Sequence, residues 1–267
     1  MAPVRKAQRR IAFINEKGGT CKTTLAVNCA AYLAREKGLK VLLVDLDTQG
    51  HAGKSLGVDV REVKPHVFHL LSDDAVRVAD CVQGTAVEGL SVVPAYKEMS
   101  EFPVAVAHRA DRTHLLAKRL DAIEGEYDAV LFDAPPSMGL TTVNILVAAR
   151  EVVVPVALTY LSLDGCAEVV QTVAEVAQKH ARPDLRVTKV VPTLYRKTAL
   201  ADAILGKLGE YFPSELSRTP LGYNVKIDEA QSHGQTIWEY APQSKGAQML
   251  AAIAEEIFIG DARAQAA

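Results

Sequence analysis

Short apolar segments alternate with amphipathic segments along most of the chain. The apolar segments are rich in Val, Ile and Leu and show little alternation between apolar and polar positions. This is typical of strands that are buried on both faces of a parallel sheet. They predict strands at Arg10–Asn15, Lys40–Asp45, Leu90–Pro94, Tyr127–Asp133, Glu151–Ala157 and Arg186–Pro192.

The segments between these strands repeat their apolar residues with helical spacing. They predict helices at Lys22–Lys37, Arg109–Ile123, Thr141–Ala149, Gly165–His180, Ala199–Tyr211 and Ser244–Ile257. Strands that alternate with helices favour parallel crossover units. The pattern therefore predicts an α/β fold with a doubly wound, mostly parallel sheet flanked by helices.

The composition fits one α/β domain in a reducing compartment. Within the 267 residues we expect a basic N-terminal arm at 1–9, a single domain at 10–260 and a frayed tail at 261–267. No segment approaches the ~18–20 consecutive apolar residues of a membrane span, and the four cysteines form no CxxC pair. We therefore expect a cytoplasmic protein with reduced thiols. The net charge of −2 means that any nucleic-acid binding requires a local basic patch.

A glycine-rich loop follows the first predicted strand and leads directly into a helix. Gly18 and Gly19 allow the backbone to approach phosphate oxygens closely, because they carry no Cβ. Backbone N–H groups at the start of the helix favour an anion. Lys22 is placed to reach the β- and γ-phosphates, and the Thr23 hydroxyl is placed to bind Mg²⁺. The segment predicts a phosphate-binding loop for a nucleoside triphosphate.

The loop departs from the GxxxxGK[ST] pattern, which would require glycine at positions 16 and 21. Its residues 17–24, KGGTCKTT, resemble the deviant Walker A loop of the ParA/MinD ATPases. The resemblance implies that ATP is bound by Lys17, Gly18, Gly19, Thr20, Cys21, Lys22, Thr23 and Thr24. It also implies that Lys17 crosses a dimer interface and stabilises charge on the phosphates of the partner subunit.

Cys21 occupies a position where the family usually has glycine. A thiol beside Lys22 and a helix N-terminus is a candidate for a lowered pKa. We therefore consider the hypothesis that Cys21 is sensitive to oxidation. The alternative is a small residue that only fits the loop.

Carboxylates at the carboxyl ends of two other predicted strands are candidates for the metal and water sites. The segment DLDTQG at 45–50 resembles the family's DxDPQG switch I, and DAPP at 133–136 resembles its DxPP motif. The resemblance implies that Asp47 orients or activates the attacking water, together with Lys17 and Lys22 in catalysis. It also implies that Asp133 holds Mg²⁺ with Thr23, and that Asp45 lies close to the metal.

Two downstream segments resemble the Soj/ParA branch of this family, at 224–237 (NVKIDEAQSHGQTI) and 240–250 (YAPQSKGAQML). A third, at 158–173 (LTYLSLDGCAEVVQTV), resembles the segment after the family's fifth strand, and the three together favour this branch. In this family the loop just before the segment that matches 224–237 usually holds the adenine. Leu221 and Gly222 are therefore the expected base contacts. The positions that match DNA-contacting residues of the branch are Arg196, Lys197 and Lys226.

The resemblance implies an ATP-driven homodimer that binds non-specific DNA on the nucleoid. A ParB-like or other activating partner would stimulate a slow basal hydrolysis. One alternative is a MinD-like membrane-localised ATPase, although the last predicted helix ends in an acidic rather than a basic tail. Further alternatives are an electron donor like the nitrogenase iron protein and a nucleotide-binding module with little hydrolysis. The first of these requires a cluster held by cysteines, which lack the matching surroundings here.

Overall fold

Eight strands form one sheet in the computed structural model, which describes residues 8–159 and 162–264. The strands are β1 (Arg9–Phe13), β2 (Val41–Asp45), β3 (Gln83–Gly84), β4 (Leu90–Val93), β5 (Ala129–Asp133), β6 (Glu151–Ala157), β7 (Arg186–Tyr195) and β8 (Leu221–Gly222). Their order in the sheet is β3-β4-β2-β5-β1-β6-β7-β8. Among these strands, β3 and β4 pair antiparallel and all other neighbours pair parallel, which confirms the predicted fold class.

Helices cover both faces of the sheet. They are α1 (Lys22–Lys37), α2 (His51–Ser55), α3 (Val67–Ser72), α4 (Val78–Cys81), α5 (Phe102–Ala105), α6 (Leu115–Asp121), α7 (Leu140–Ala148), α8 (Ser162–Lys179), α9 (Ala199–Tyr211), α10 (Val225–Ser232), α11 (Ile237–Tyr240) and α12 (Lys245–Ala264). A 3₁₀ turn lies at Lys97–Glu101. In the described residues no helix is both long and apolar enough to pass through a bilayer.

The core consists of two apolar layers, one on each face of the sheet. Successive residues of β1 and β2 enter opposite layers: Ile11 and Leu43 pack on the side of α1 and α12, whereas Ala12 and Leu42 pack on the side of α6, α7 and α8. All five residues of β2 are buried. Burial on both faces explains why the strand sequences are continuously apolar instead of alternating.

The structure differs from the sequence predictions mainly at element ends. Arg9, expected in the basic arm, belongs to β1, and its guanidinium pairs with Glu151. The helix predicted from Arg109 begins only at Leu115, because Arg109 pairs with Asp111 within a turn. Part of the tail predicted to fray, 261–264, continues α12. The remainder of the tail and most of the arm, 265–267 and 1–7, lie outside the described residues.

Candidate active site

The site lies where three neighbouring parallel strands end. β5 is hydrogen-bonded to both β1 and β2, and the register aligns Asp133 with Phe13 on one side and with Asp45 on the other. The loop that follows β1 therefore emerges beside both carboxylates. The carboxyl edge of such a sheet, where neighbouring connections diverge, is the usual position of a ligand site.

The loop after β1 is held by its own backbone and by side chains beneath it. Asn15 accepts a hydrogen bond from the Lys17 N–H at 2.9 Å and donates to the Pro155 carbonyl at 2.7 Å. Gly19 has φ +71°, a conformation that disfavours other residues, and a Cβ on Gly18 or Gly19 would meet no atom within 4 Å. The loop thus exposes its backbone to open space, as a cradle for phosphate oxygens requires.

Lys22 begins α1 with its side chain turned back over this loop. The residue is 7% exposed, and its ammonium donates to the Lys17 carbonyl at 3.1 Å. Burial lowers the pKa of Lys22, and the nearby carboxylates of Asp133 and Asp47 oppose that effect. A buried cation over an open backbone cradle is suited to bind a triphosphate.

Asp133 presents an incomplete hydrogen-bonding environment that fits a magnesium ion. The residue is fully buried, and its Oδ2 accepts a hydrogen bond from the Thr23 hydroxyl at 2.6 Å. Its Oδ1 is buried without a hydrogen-bond partner in the described part of the chain. Burial, and then repulsion by Asp45, raise the pKa of Asp133 well above its usual range. A divalent cation would reverse this effect, since it stabilises the ionised carboxylate.

Asp45 organises the loop that carries Asp47. Its carboxylate is fully buried and accepts from the backbone N–H groups of Asp47 at 3.0 Å, Ala52 at 3.0 Å and Gly53 at 3.3 Å. Burial raises its pKa to about 7, although these hydrogen bonds favour the ionised form. Asp45 thereby fixes the turn after β2 and the start of α2. A contact between Asp45 and the metal stays a prediction.

Asp47 lies half-buried at the wall of a cleft of about 730 Å³ that runs along the loop. Its Oδ1 accepts a hydrogen bond from the Gln49 N–H at 3.0 Å. The cleft is lined by residues 18–24, Asp47, Gln49, His51, Lys54, Ser55, Pro136, Leu194, Asp228, Gln231 and Ser232. The predicted loop and the predicted Asp47 therefore share one cavity.

Leu194 and α10 were not predicted from the sequence as parts of this cleft. Leu194 has φ +54°, which is rare for a residue with a large side chain. Gln231 of α10 donates to the Thr24 hydroxyl at 3.0 Å.

Leu221 and Gly222, the expected adenine contacts, are not among the described residues that line the cleft. Leu221 is 2% exposed, and the Gly222 N–H faces the Met249 sulfur. Their role stays a prediction.

The hypothesis that Cys21 has a lowered pKa is wrong. Burial raises the pKa of its thiol to about 11, and this exceeds the opposing effects of a hydrogen bond with Thr193 and of the Lys22 charge. The thiolate is the reactive form, so this environment disfavours oxidation. Cys21 also has φ +66°, which explains why glycine would be favoured at this position.

The three predicted DNA contacts lie on exposed segments after β7 and β8. The Arg196 guanidinium lies 5.1 Å from the ring centre of Tyr223, and Lys197 is exposed. Lys226, in the first turn of α10, pairs with Glu229 at 2.8 Å. We call Arg196, Lys197 and Lys226 the basic patch.

The strand, open glycine loop, buried lysine, and threonine–aspartate pair define the site of a P-loop nucleoside triphosphatase. Magnesium is commonly bound by one or two protein groups together with substrate phosphates and water. Among the described residues, no group of three or more His, Cys, Asp or Glu side chains is placed to hold a metal ion.

Comparisons with known proteins give the same class. A family described as an AAA domain matches residues 8–187. The sporulation initiation inhibitor protein Soj of Bacillus subtilis is 38% identical over 248 residues, which cover 92% of this chain and 97% of that protein. The chromosome-partitioning ATPase Soj of Thermus thermophilus is 39% identical over 257 residues, which cover 95% of this chain and 97% of that protein.

A solved structure from Mycobacterium smegmatis, described as cobyrinic acid a,c-diamide synthase with a bound ATP analog and magnesium, has a TM-score of 0.81. It is 30% identical, and the match covers 94% of each chain. The protein therefore belongs to the Soj/ParA family of P-loop ATPases. It is an ATPase whose cofactors are ATP and Mg²⁺.

Replacing Asp133 with asparagine is expected to stabilise the magnesium- and nucleotide-free protein. An amide keeps an acceptor for Thr23 and removes a buried charge, so the free energy of unfolding at pH 8 should rise by ~1–3 kcal/mol. A carboxyl with a raised folded-state pKa stabilises the fold when protonated and loses this contribution as the pH rises through that pKa. In urea unfolding experiments, the increase in the free energy of unfolding caused by Asp133→Asn should therefore become smaller as the pH is lowered from 8 to 5.

Asp45→Asn provides the matched comparison, because the two carboxyls are neighbours and equally buried. The amide nitrogen of the substituted side chain would face the backbone N–H groups from which the Asp45 carboxylate now accepts hydrogen bonds. We expect Asp45→Asn to lower the free energy of unfolding at pH 8. Equal effects of the two substitutions would contradict the assignment of different roles.

Proposed function

We propose that this chain is an ATP-dependent dimerising ATPase that binds DNA without sequence preference and positions or segregates DNA or another cargo. In each cycle, ATP binding forms a homodimer on DNA, and a ParB-like or other partner stimulates hydrolysis and release. The relative from Thermus thermophilus is a chromosome-partitioning ATPase, and its 39% identity over 95% of this chain supports the proposal.

The observation that carries the proposal is the position of the basic patch beside the nucleotide cleft. Leu194 lines the cleft, and Arg196 follows it by two residues. Lys226 lies in the first turn of α10, and Gln231 of the same helix donates a hydrogen bond to Thr24 of α1. Nucleotide and DNA would therefore bind to adjoining segments. A dimer would also double the basic patch and raise avidity without altering any single contact.

The proposed dimer further depends on Lys17. A lysine supplied by a second subunit would stabilise the charge that develops on the phosphates, so hydrolysis would require dimerisation. Slow basal turnover follows, because a monomer would lack one cation of the complete site.

The basic patch is tested by DNA binding with ATP or ADP at two salt concentrations. We expect the unsubstituted protein to bind DNA more tightly with ATP than with ADP. Arg196→Ala and Lys197→Ala should each weaken the salt dependence of DNA affinity, lowering the slope of log affinity against log salt concentration by about one unit. Lys226→Ala should have a smaller effect, because Glu229 already neutralises its ammonium. Lys179→Ala is the control: this exposed lysine ends α8 and precedes the start of β7, whereas the basic patch follows the carboxyl ends of β7 and β8.

Identical DNA affinity with ATP and ADP would remove the proposed function. Co-sedimentation with anionic vesicles in the presence of ATP is a further arm of the same experiment. ATP-dependent binding to vesicles without binding to DNA would favour a membrane-localised positioning ATPase.

A further inference from the structure

The backbone of Lys17 is fixed on both sides by hydrogen bonds within the loop. Its N–H donates to Asn15, and its carbonyl accepts from the Lys22 ammonium at 3.1 Å and from the Thr20 hydroxyl at 3.3 Å. The position of the Lys17 ammonium can therefore change only through side-chain rotation.

The Lys17 side chain lies against the first turn of α8 in its own subunit, over Gly165. A Cβ on Gly165 would lie 3.0 Å from Lys17 Cε, 3.4 Å from Nζ and 3.5 Å from Cδ. These three are the nearest atoms that the Cβ would meet. Gly165 is itself buried, and Lys17 is half-buried.

Neither the backbone nor the helix accounts for a glycine at position 165. Its φ lies outside the positive range in which glycine is favoured over other residues. Glycine inside a helix also costs about 0.5–1 kcal/mol relative to alanine. The close approach of Lys17 is the feature that a side chain would disturb.

We propose that Gly165 is a positioning residue for Lys17. Because it lacks a side chain, it lets Lys17 rest against its own subunit, and it thereby restrains the ammonium from reaching a second copy of the chain until that copy binds. The inference rests on the proposed ATP-dependent dimer. Gly165 thus controls how readily Lys17 exchanges between a position within its own subunit and one that serves the opposite subunit.

Gly165→Ala separates this role from stability. The added methyl group meets the far end of a flexible side chain, so Lys17 has to shift by a few tenths of an ångström while the fold is preserved. Gly206→Ala is the matched control, since Gly206 lies in α9 and a Cβ there would meet nothing within 4 Å. Both substitutions replace a glycine within a helix by alanine, which has the higher helix propensity.

The first measurement is the rate at which an amine-reactive acetylating reagent modifies Lys17 in the nucleotide-free protein, followed by mass spectrometry. We expect the rate to rise about fivefold in Gly165→Ala, because the methyl group pushes the Lys17 side chain away from α8 and exposes its ammonium more often, and to stay unchanged in Gly206→Ala. An unchanged rate in Gly165→Ala would overturn the inference. This measurement does not require a dimer, so it decides the position of Lys17 even if the proposed function fails.

The second measurement is the dimer dissociation constant with a non-hydrolysable ATP analogue, from sedimentation. Gly165→Ala should lower this constant about fivefold in a chain with Lys17, and should not change it in a Lys17→Ala background. The same change in both backgrounds would overturn the inference, because alanine would then act through α8 itself. A wild-type protein that stays monomeric at saturating nucleotide would contradict the proposed function. The labelling rate would then still test whether Gly165 positions Lys17.

Discussion

Asp47→Ala is expected to slow ATP hydrolysis by about 100-fold or more while ATP affinity stays within about threefold. Asp47 lies half-buried in the same cleft as the phosphate loop, and the turn after β2 is fixed by Asp45 rather than by the Asp47 carboxylate alone. Removing that carboxylate should therefore leave the loop in place. What is lost is the group proposed to orient or activate the attacking water.

Single-turnover hydrolysis and equilibrium ATP binding measure the two effects separately. Asp59→Ala is the control, because Asp59 is an exposed carboxylate that pairs with Arg61 outside the cleft. In the proposed cycle, the Asp47→Ala variant should also stay bound to DNA in the presence of ATP. It would form the dimer but would not hydrolyse the ATP, so the dimer would not dissociate. A decrease in hydrolysis of less than about tenfold would exclude a direct role for Asp47 in the reaction.

Lys22→Gln is expected to weaken ATP binding about 100-fold, the equivalent of one buried charge-assisted contact with phosphate. Glutamine can still donate to the Lys17 carbonyl, so the loop conformation should persist without the charge. The variant should also fail to bind DNA in the presence of ATP. Calorimetric titration with Mg²⁺ and ATP measures the affinity, and thermal unfolding checks that the protein is folded.

Lys17→Gln is the comparison for Lys22→Gln, because both substitutions remove one cation from the same loop. We expect Lys17→Gln to retain ATP affinity and to weaken dimerisation without abolishing it, since its proposed role is in the opposite subunit. ATP affinity that falls equally in both variants would show that the two lysines act on the same nucleotide. Such a result would contradict the proposed division between them.

The sequence alone determined the features that depend on neighbouring residues. Buried strands such as Glu151–Ala157 and helix α1 at Lys22–Lys37 have the predicted bounds, because apolar spacing reports burial locally. The phosphate loop was predictable for the same reason, since its glycines, lysine and threonine act within one turn of chain. By contrast, β8 and α10 are short and carry weak local patterns, so they were not predicted.

Only the tertiary structure decided the contacts between distant segments. Thr23 meets Asp133 across 110 positions, and Thr24 meets Gln231 across 207, because parallel strands bring their carboxyl ends to one edge. The raised pKa of Cys21 likewise depends on burial, which its neighbours in sequence did not reveal. Local chemistry therefore fixed which residues the loop would contain, whereas the packing of distant elements fixed which charges are buried and which side chains line the cleft.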